Sequence, residues 1–553
     1  MKKIVLILIP VLGILSACNS YLDMTPKDSI SDKVMWSSTE SAEYAVNSIY
    51  SYAYDIYAYL PSSVGMTEAF TDELKYGSYV NFAYCLIPSQ VAYGGTTLTN
   101  SFVSVYLGCW GTLYEAIRRT NEALSNLHTL GSGLPEGDQA RLEGELRLMR
   151  GWLYFELVKR YKDVILYDED LSQIAVDKAL SSEKEGWDFI WKDLEYAAGF
   201  LPARQDAKGR LDKGVALALI TRAMLYAGQY DRVIEAAQEL EGLGYSLMAD
   251  YAKAFTVPIQ EGNTETILQY SFSYADNITH EFDYYYAPGG DYKLVGQQGG
   301  GYGTPTQEMV ESYELAAGGF PDWTPWHGST TAEPPYAQLE PRFQATILYN
   351  GSAWKNRTIE PFVGGTDGWC QWNKEPQPQG RTTTGYYLRK GVDETHDLAQ
   401  RSQSTQHFVL LRYGEVLLNK AEACFRSGDA AGANAAVREI RRRASLPYSD
   451  KSGDALWQAI RQERRIELAF EGQWYWDLRR WGDAVKNYPT GLNNYQVHGL
   501  KIETTAVTGQ YLYTYVSVDD KDRNFPQKML NRFPIPDGEL NSNALVEQYP
   551  EWN

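Results

Sequence analysis

Cysteine and histidine are scarce in this chain, with five and six copies among 553 residues. So few cysteines cannot form the disulfide framework of a small secreted scaffold. The sequence contains no CxxC pair and its histidines are widely scattered, so it indicates no zinc site. We therefore predict neither a metal nor a cofactor.

Basic residues are also fewer than acidic residues. The chain has 51 Lys and Arg residues against 70 Asp and Glu residues, which gives a formal net charge of −19. A chain this acidic is a poor binder of nucleic acid or of an anionic bilayer surface, because both carry negative charge themselves. No nucleic-acid partner is expected.

Catalytic signatures are missing as well. The sequence has no GxSxG, GxxxxGK or GxGxxG motif. An HExxH pattern begins at His280 but carries Tyr284 in place of the second histidine. A calcium-loop pattern that begins at Asp520 carries Phe525 where glycine is required. We predict no enzyme, although the many acidic residues leave a glycosidase-type carboxylate pair open.

The N-terminus has the layout of an export signal. Two lysines precede an apolar run over residues 4–15, which is too short to span a bilayer. The run ends in Leu-Ser-Ala-Cys at Cys18, which resembles the bacterial lipobox, whose cysteine is lipidated. We predict a signal peptide over residues 1–17 and a lipidated tether over residues 18–40. The alternative is an ordinary signal peptide that happens to contain a cysteine.

The rest of the chain contains no run of 18 apolar residues, so no membrane-spanning helix is expected there. Membrane contact is thus predicted through the N-terminal lipid only. An export compartment permits a bridge between Cys85 and Cys109, but nothing in the sequence demands one.

Helical periodicity dominates the first half of the chain. Apolar residues at helical spacing predict helices over residues 105–127, 138–161 and 184–199. Residues 213–240 form the pattern of a helical hairpin, with Gly228 as a left-handed turn residue. This hairpin resembles a tetratricopeptide repeat.

A second hairpin pattern follows 200 residues later. It covers residues 410–425 and 431–444, and a long helix is predicted over residues 455–481. A repeat pair that is split by a long insertion indicates a helical solenoid. The predicted fold class is mainly α, with a tetratricopeptide-type scaffold.

The middle of the chain has a different composition. Residues 281–380 contain 15 Gly and 10 Pro, which excludes long helices, and 17 aromatic residues, which disordered linkers lack. Loops on a rigid scaffold commonly carry binding residues. We predict helical parts over residues 41–244 and 408–553, and a loop-rich ligand-binding insertion with minor β structure over residues 245–407.

A specific segment lies in the C-terminal third, where residues 460–472 have the sequence IRQERRIELAFEG. Ile466 and Phe470 belong to an apolar stripe at helical spacing, and Arg464 and Glu467 are close enough to pair. The residues alone indicate a buried helix with ionic flanks. Together with the following DLRRWG, the string strongly resembles the signature helix of the SusD/RagB family.

Four other segments resemble the same family and occur in the family's order. They are residues 19–23 with Pro26, residues 305–310 with residues 341–343, residues 411–418 with residues 421–423, and residues 533–536. The resemblance therefore covers essentially the whole chain.

This resemblance implies an outer-membrane lipoprotein of Bacteroidetes, exposed at the cell surface and without enzymatic activity. Such proteins are lids on a SusC-like TonB-dependent transporter and capture glycans for import. The implied partners are that transporter and an oligosaccharide ligand. Two alternatives stay open: a RagB-like lid that handles peptides, and a surface glycosidase.

The resemblance also suggests ligand-binding residues. Residues 71–76 resemble a stretch of the starch-binding founder that ends in a stacking tryptophan, where this chain has Tyr76, with Asp72 and Tyr79 nearby. Further stacking aromatics are expected in the insertion, where Gln297 and Gln298 could bind hydroxyl groups. The candidates there are Tyr284, Tyr285, Tyr286, Tyr302, Trp323 and Trp326.

Overall fold

The structure is a computed structural model that describes residues 32–55, 66–76, 107–173, 177–204, 209–294, 299–371, 381–398, 403–519 and 522–552. The predicted signal peptide, Cys18 and Cys85 lie outside these residues. In the described part of the chain, no helix combines the length and the apolar character needed to cross a membrane.

Helices account for most of the regular structure. Those of the first half are α1 (Asp32–Met35), α2 (Thr39–Asp55), α3 (Trp110–Thr129), α4 (Glu136–Tyr161), α5 (Glu183–Phe200), α6 (Lys213–Tyr226), α7 (Tyr230–Glu241) and α8 (Lys253–Thr256). Those of the second half are α9 (Phe282–Tyr286), α10 (Gly289–Leu294), α11 (Gln307–Glu311), α12 (Pro341–Thr346), α13 (Tyr413–Arg426), α14 (Ala430–Arg443), α15 (Gly453–Glu467), α16 (Trp474–Arg480), α17 (Gln527–Asn531) and α18 (Asp537–Ser542).

The strands are short and form small antiparallel sheets. They are β1 (Leu74–Tyr76), β2 (Thr266–Tyr270), β3 (Gly303–Pro305), β4 (Ser329–Thr330), β5 (Ile347–Leu348), β6 (Ala353–Trp354), β7 (Arg357–Thr358), β8 (Tyr387–Leu388), β9 (Phe408–Arg412), β10 (His498–Thr504) and β11 (Tyr511–Ser517). The pairs are β1–β3, β2–β9, β5–β8 and β6–β7, and the remaining sheet has the order β10–β11–β4.

The two predicted hairpins form one helical stack. Helices α6 and α7 pack together, as do α13 and α14, and α13 also packs on both α6 and α7. Gly228 has φ +69° and Gly428 has φ +84° in the two equivalent turns, a left-handed conformation that costs glycine little. The predicted mainly helical, tetratricopeptide-type scaffold is confirmed.

Two helix predictions in the C-terminal third are wrong in detail. Residues 410–412 belong to strand β9, because their backbone pairs with β2 before the helix starts at Tyr413. The helix predicted over residues 455–481 ends at Glu467 and restarts at Trp474. Phe470 has φ 58° and Gly472 has φ 72°, and left-handed residues terminate an α-helix.

A buried ionic network replaces the predicted pair of Arg464 and Glu467. Glu467 accepts hydrogen bonds from Arg342 at 3.0 Å and from Arg412 at 2.7 Å, and it also pairs with Arg443. Burial alone would raise the pKa of Glu467, but the three guanidinium groups hold it well below its ordinary value of 4.5. Arg464 pairs instead with Asp477, at 2.8 Å.

The network joins distant parts of the chain. Arg342 lies on α12 and also binds Glu340 and Glu463, at 2.6 and 2.9 Å. Arg412 lies on β9 and also binds two glutamates, both at 2.7 Å: Glu265, which directly precedes β2, and Glu471. The insertion and the C-terminal helices therefore meet through charge pairs instead of through apolar packing alone.

We expect Glu467→Gln to lower the free energy of unfolding by about 3–5 kcal/mol, because it leaves buried guanidinium groups without their counter-charge. The difference from wild type should shrink as the pH falls below 4.5, since the Glu467 carboxylate then gains a proton in the unfolded chain while it stays charged in the native one. Urea unfolding from pH 7 to pH 4 measures both effects.

The matched control is Lys184→Met, which removes an exposed ion pair with Asp188 on α5. We expect a change within about 0.5 kcal/mol there. Equal losses for Lys184→Met and Glu467→Gln would contradict a special role for the buried network.

Candidate functional site

Strand β1 brings the first predicted ligand residues into the interior. Tyr76 is only 2% exposed, and its hydroxyl group lies 2.9 Å from that of Tyr286 and accepts a hydrogen bond from the Met66 amide. Asp72 is buried too and pairs with Arg465 at 2.8 Å. In this structure both side chains support the surface from beneath.

Tyr286 is the centre of this support. It is fully buried, and its ring stacks on Phe282 with ring centroids 4.4 Å apart. Gly303 on β3 passes close by, opposite Tyr76 in the register. A Cβ at Gly303 would lie 2.8 Å from the Tyr286 ring, so only glycine lets the strand approach this closely.

Three half-buried tyrosines lie above this layer and form what we name the tyrosine patch: Tyr284, Tyr285 and Tyr302. The rings of Tyr284 and Tyr285 meet edge to face at 5.3 Å, and those of Tyr285 and Tyr302 lie 5.1 Å apart at an interplanar angle of 54°. The patch therefore presents rings at several angles instead of one flat stack.

Backbone hydrogen bonds hold the patch together. The Tyr302 amide donates to the carbonyl of Tyr285 at 2.9 Å, and the Gly300 amide donates to that of Tyr284 at 2.8 Å. The Tyr285 hydroxyl group donates to Glu281 at 2.9 Å. Burial raises the pKa of Tyr285 and of Tyr302, so both phenols keep their protons at neutral pH. The Tyr302 hydroxyl group can donate to a ligand, whereas that of Tyr285 can accept from one while it donates to Glu281.

The two predicted tryptophans belong to a different cluster. Trp323 is buried, while Trp326 is half-buried and donates its indole N–H to the carbonyl of Ala332. Their rings meet edge to face at 5.6 Å. Trp323 also packs near Tyr336 in a small apolar core.

Trp326 lies beside aromatic residues that sequence reasoning missed. Strand β11 carries Tyr511, Tyr513 and Tyr515. Tyr513 forms a small core with Leu500 and Ile502, and Trp326, Tyr511 and Tyr515 pack against it. His498 on the neighbouring strand stacks on Tyr515 with ring centroids 4.2 Å apart. The alternation YLYTYVS was the available signal, because a period of two places the three tyrosines on one face of a strand.

The remaining predicted residues, Tyr79, Gln297 and Gln298, lie outside the described residues. Among those described, the structure thus brings Tyr284, Tyr285 and Tyr302 together at the surface. It places Asp72, Tyr76 and Tyr286 beneath them, and Trp323 and Trp326 in the second cluster.

Three described carboxylates near the tyrosine patch, Glu281, Asp283 and Asp291, have partners within the protein. Glu281 accepts from Tyr285, as described above. Asp283 lies 2.7 Å from His396 Nδ1, and Asp291 lies 2.6 Å from Arg357. Within the described ranges, no cluster of three or more His, Cys, Asp or Glu side chains could hold a metal ion.

The described structure is thus a tetratricopeptide-type helical stack that carries an aromatic patch on its inserted loops. Two family models match this chain. One, described as the SusD family, covers residues 264–552, and the other, described as starch-binding and associating with the outer membrane, covers residues 20–225. The chain belongs to the SusD family.

Known relatives match over most of their length. A SusD-like protein of Bacteroides ovatus is 23% identical over 517 residues, covering 88% of this chain and 85% of the relative. A SusD-like protein of Bacteroides fragilis has a solved structure that matches with a TM-score of 0.78 at 26% identity, covering 95% of this chain and 99% of that one.

Two more distant structures share the fold. A SusD-like carbohydrate-binding protein of Bacteroides fragilis matches with a TM-score of 0.74 at 22% identity, covering 93% of this chain and all of that one. A laminarin-binding SusD-like protein matches with a TM-score of 0.60 at 20% identity, covering 92% and 99%.

Substitutions in the buried layer and in the tyrosine patch should destabilise the protein to different extents. We expect Tyr286→Ala to lower the free energy of unfolding by about 3–5 kcal/mol, because it empties a buried ring position. Tyr302→Ala, in the patch above, should cost about 1 kcal/mol or less. Urea unfolding measures both, and equal costs would contradict the division into support and surface.

Proposed function

We propose that this protein captures oligosaccharides at the outer surface of the cell and delivers them to a SusC-like TonB-dependent transporter. The tyrosine patch is the proposed contact surface for the glycan. The single observation that carries this proposal is the grouping of Tyr284, Tyr285 and Tyr302 at angled orientations on one surface.

The chemistry of a sugar suits such a surface. A pyranose ring exposes a face of C–H groups, which packs on an aromatic plane, and an edge of hydroxyl groups, which needs polar partners. Rings at several angles can follow the curve of an oligosaccharide. Glu281 and the phenol groups of the patch provide donors and acceptors at its border.

Two observations favour glycan binding over the alternatives. The patch groups three tyrosine rings, and a lid that binds peptides would need fewer stacking aromatic residues. A glycosidase needs two carboxylates available for proton transfer and nucleophilic attack, whereas Asp283 is hydrogen-bonded to His396 and Asp291 is held in an ion pair with Arg357. The proposed role is therefore binding without hydrolysis.

The transporter partner and the anchor complete the proposal. Lipidation of Cys18 would hold the protein at the outer membrane, and attachment to the transporter would raise the local concentration of a weakly bound glycan. A shallow patch with few contacts suits this role, because the ligand must be released again for import.

Affinity gels with plant, host and microbial polysaccharides test glycan capture. We expect retarded migration in at least one gel, without new products in the mixture. Tyr302→Ala should weaken binding about two- to tenfold, as expected for the loss of one stacking ring. Release of oligosaccharides without added enzyme would contradict the non-catalytic role.

The matched control is Phe200→Ala on α5, where the phenyl ring is 54% exposed. It removes an exposed aromatic side chain that does not belong to the patch, so retardation should stay unchanged. An equal loss for Phe200→Ala and Tyr302→Ala would show that the patch is not the contact surface.

The proposed anchor is tested by Cys18→Ala in the full chain. We expect the wild-type protein in the outer-membrane fraction with bound lipid, detectable by mass spectrometry, and the variant without lipid and largely out of that fraction. A variant that stays in the membrane fraction would contradict anchoring through Cys18.

A further inference from the structure

A cavity of about 350 Å³ lies within the helical scaffold. Its walls come from α4, α5, α6, α16 and α17, and none of the predicted ligand residues lines it. Four cationic side chains face it, and Glu183 is the one carboxylate in its lining. The cations are Lys159, Lys162, Arg479 and Arg480.

Arg479 is the unusual member of this set. It is only 7% exposed, and its Nε and Nη1 atoms are shielded from solvent without a hydrogen-bond acceptor among the described residues. No carboxylate of the described residues pairs with it, and the ring of the neutral Tyr475, a polar residue of the same helix, lies 5.7 Å from its central carbon. Aromatic rings surround the guanidinium group instead, with Phe533 at 4.4 Å and Trp476 at 4.9 Å from its central carbon.

The next residue on the same helix provides the contrast. Arg480 binds both oxygens of Glu422, at 2.6 and 2.5 Å, and also Asp477 at 2.8 Å. Its positive charge is therefore fully compensated within the protein. Two adjacent arginines of one helix thus line the same cavity: Arg480 pairs with two carboxylates, and Arg479 pairs with none in the part of the chain that the structure describes.

The nearby carboxylates are committed elsewhere. Asp477 pairs with Arg464 and Arg480, and Glu422 pairs with Arg480. Glu183 lies 3.7 Å from Lys162 on the more exposed side of the cavity. None of these groups balances the charge of Arg479.

A charge in this position needs an anion. Burying an unpaired charge is costly, and buried charges in proteins are ordinarily paired. Burial lowers the pKa of Arg479, but a guanidinium group keeps its proton at neutral pH. Burial also lowers the pKa of Lys159 to about 7, and this side chain pairs with Glu156 at 2.7 Å, so the uncompensated positive charge of the cavity rests mainly on Arg479.

We propose that this cavity binds a small oxyanion, a carboxylate or phosphate group, whose charge pairs with Arg479. Guanidinium groups pair with the oxygens of carboxylates and phosphates through charge-assisted hydrogen bonds, so such an anion would compensate this charge. The cavity volume falls within the range of small-molecule sites.

The walls indicate the size of the ligand. Trp187, Trp476 and Trp481 add aromatic surface beside the cations. A single sugar unit that carries a carboxylate would contact both the aromatic rings and the cationic side chains. A free inorganic anion would contact the cationic side chains alone. This site is separate from the proposed glycan contact surface.

Calorimetric titration of the full chain in detergent tests the proposal, with inorganic phosphate, glucuronate and, as the uncharged control, glucose at constant ionic strength. We expect saturable binding of at least one of the two anions and none of glucose at this site. Binding of glucuronate alone would identify a sugar-borne carboxylate as the ligand, and binding of phosphate alone a free anion. Absence of binding for both anions would overturn the proposal.

Variants locate the binding. Arg479→Gln should weaken it at least tenfold, while Arg479→Lys should retain part of it, because the charge remains. If Arg479→Gln does not fold, Lys162→Gln serves, since that side chain is 42% exposed; it should weaken binding about threefold.

Lys184→Gln is the control for net charge, because it removes an exposed lysine of α5 that does not line the cavity. It should leave binding unchanged. Affinity that is unchanged in Arg479→Gln, or that falls equally in Lys184→Gln, would overturn the assignment. The proposal stands or falls separately from glycan capture, because the titrations contain no polysaccharide.

Discussion

The buried charge network around Glu467 is the constraint on which the rest of this structure depends. Arg342, Arg412 and Arg443 converge on one carboxylate from α12, β9 and α14, three parts of the chain that are far apart in sequence. Separating one of these buried charges from its partner is strongly destabilising, because the charge is then left without water and without a counter-charge. The network therefore sets how the inserted region sits on the helical stack.

The same helix also reaches the candidate site. Arg465, two residues before Glu467, pairs with Asp72, and Asp72 lies two residues before the start of the strand that carries Tyr76. Tyr76 in turn bonds to Tyr286 beneath the tyrosine patch. The family's signature segment is thus structural: it touches no proposed glycan contact, yet it holds the layer on which those contacts rest.

Paired and unpaired guanidinium groups have different meanings in this protein. The arginines around Glu467 each pair with at least two carboxylates, so they explain stability and need no ligand. Arg479 is equally buried but is surrounded by aromatic rings, and this difference separates a structural charge from a candidate binding charge. The motif DLRRWG contains both kinds at adjacent positions.

Local pattern determined much of this protein: the helical periodicity, the turn glycines Gly228 and Gly428, the loop-rich composition of the insertion and the family resemblance could all be found in the sequence. Tertiary structure alone decided which aromatics are exposed, because Tyr284 and Tyr286 differ only in the side of a short helix that they occupy. It also decided the partners of Glu467. Arg464, three residues earlier on the same helix, pairs with Asp477, whereas arginines from other segments of the chain pair with Glu467. Burial and pairing depend on what the rest of the chain packs against each side chain, and no local pattern contains that information.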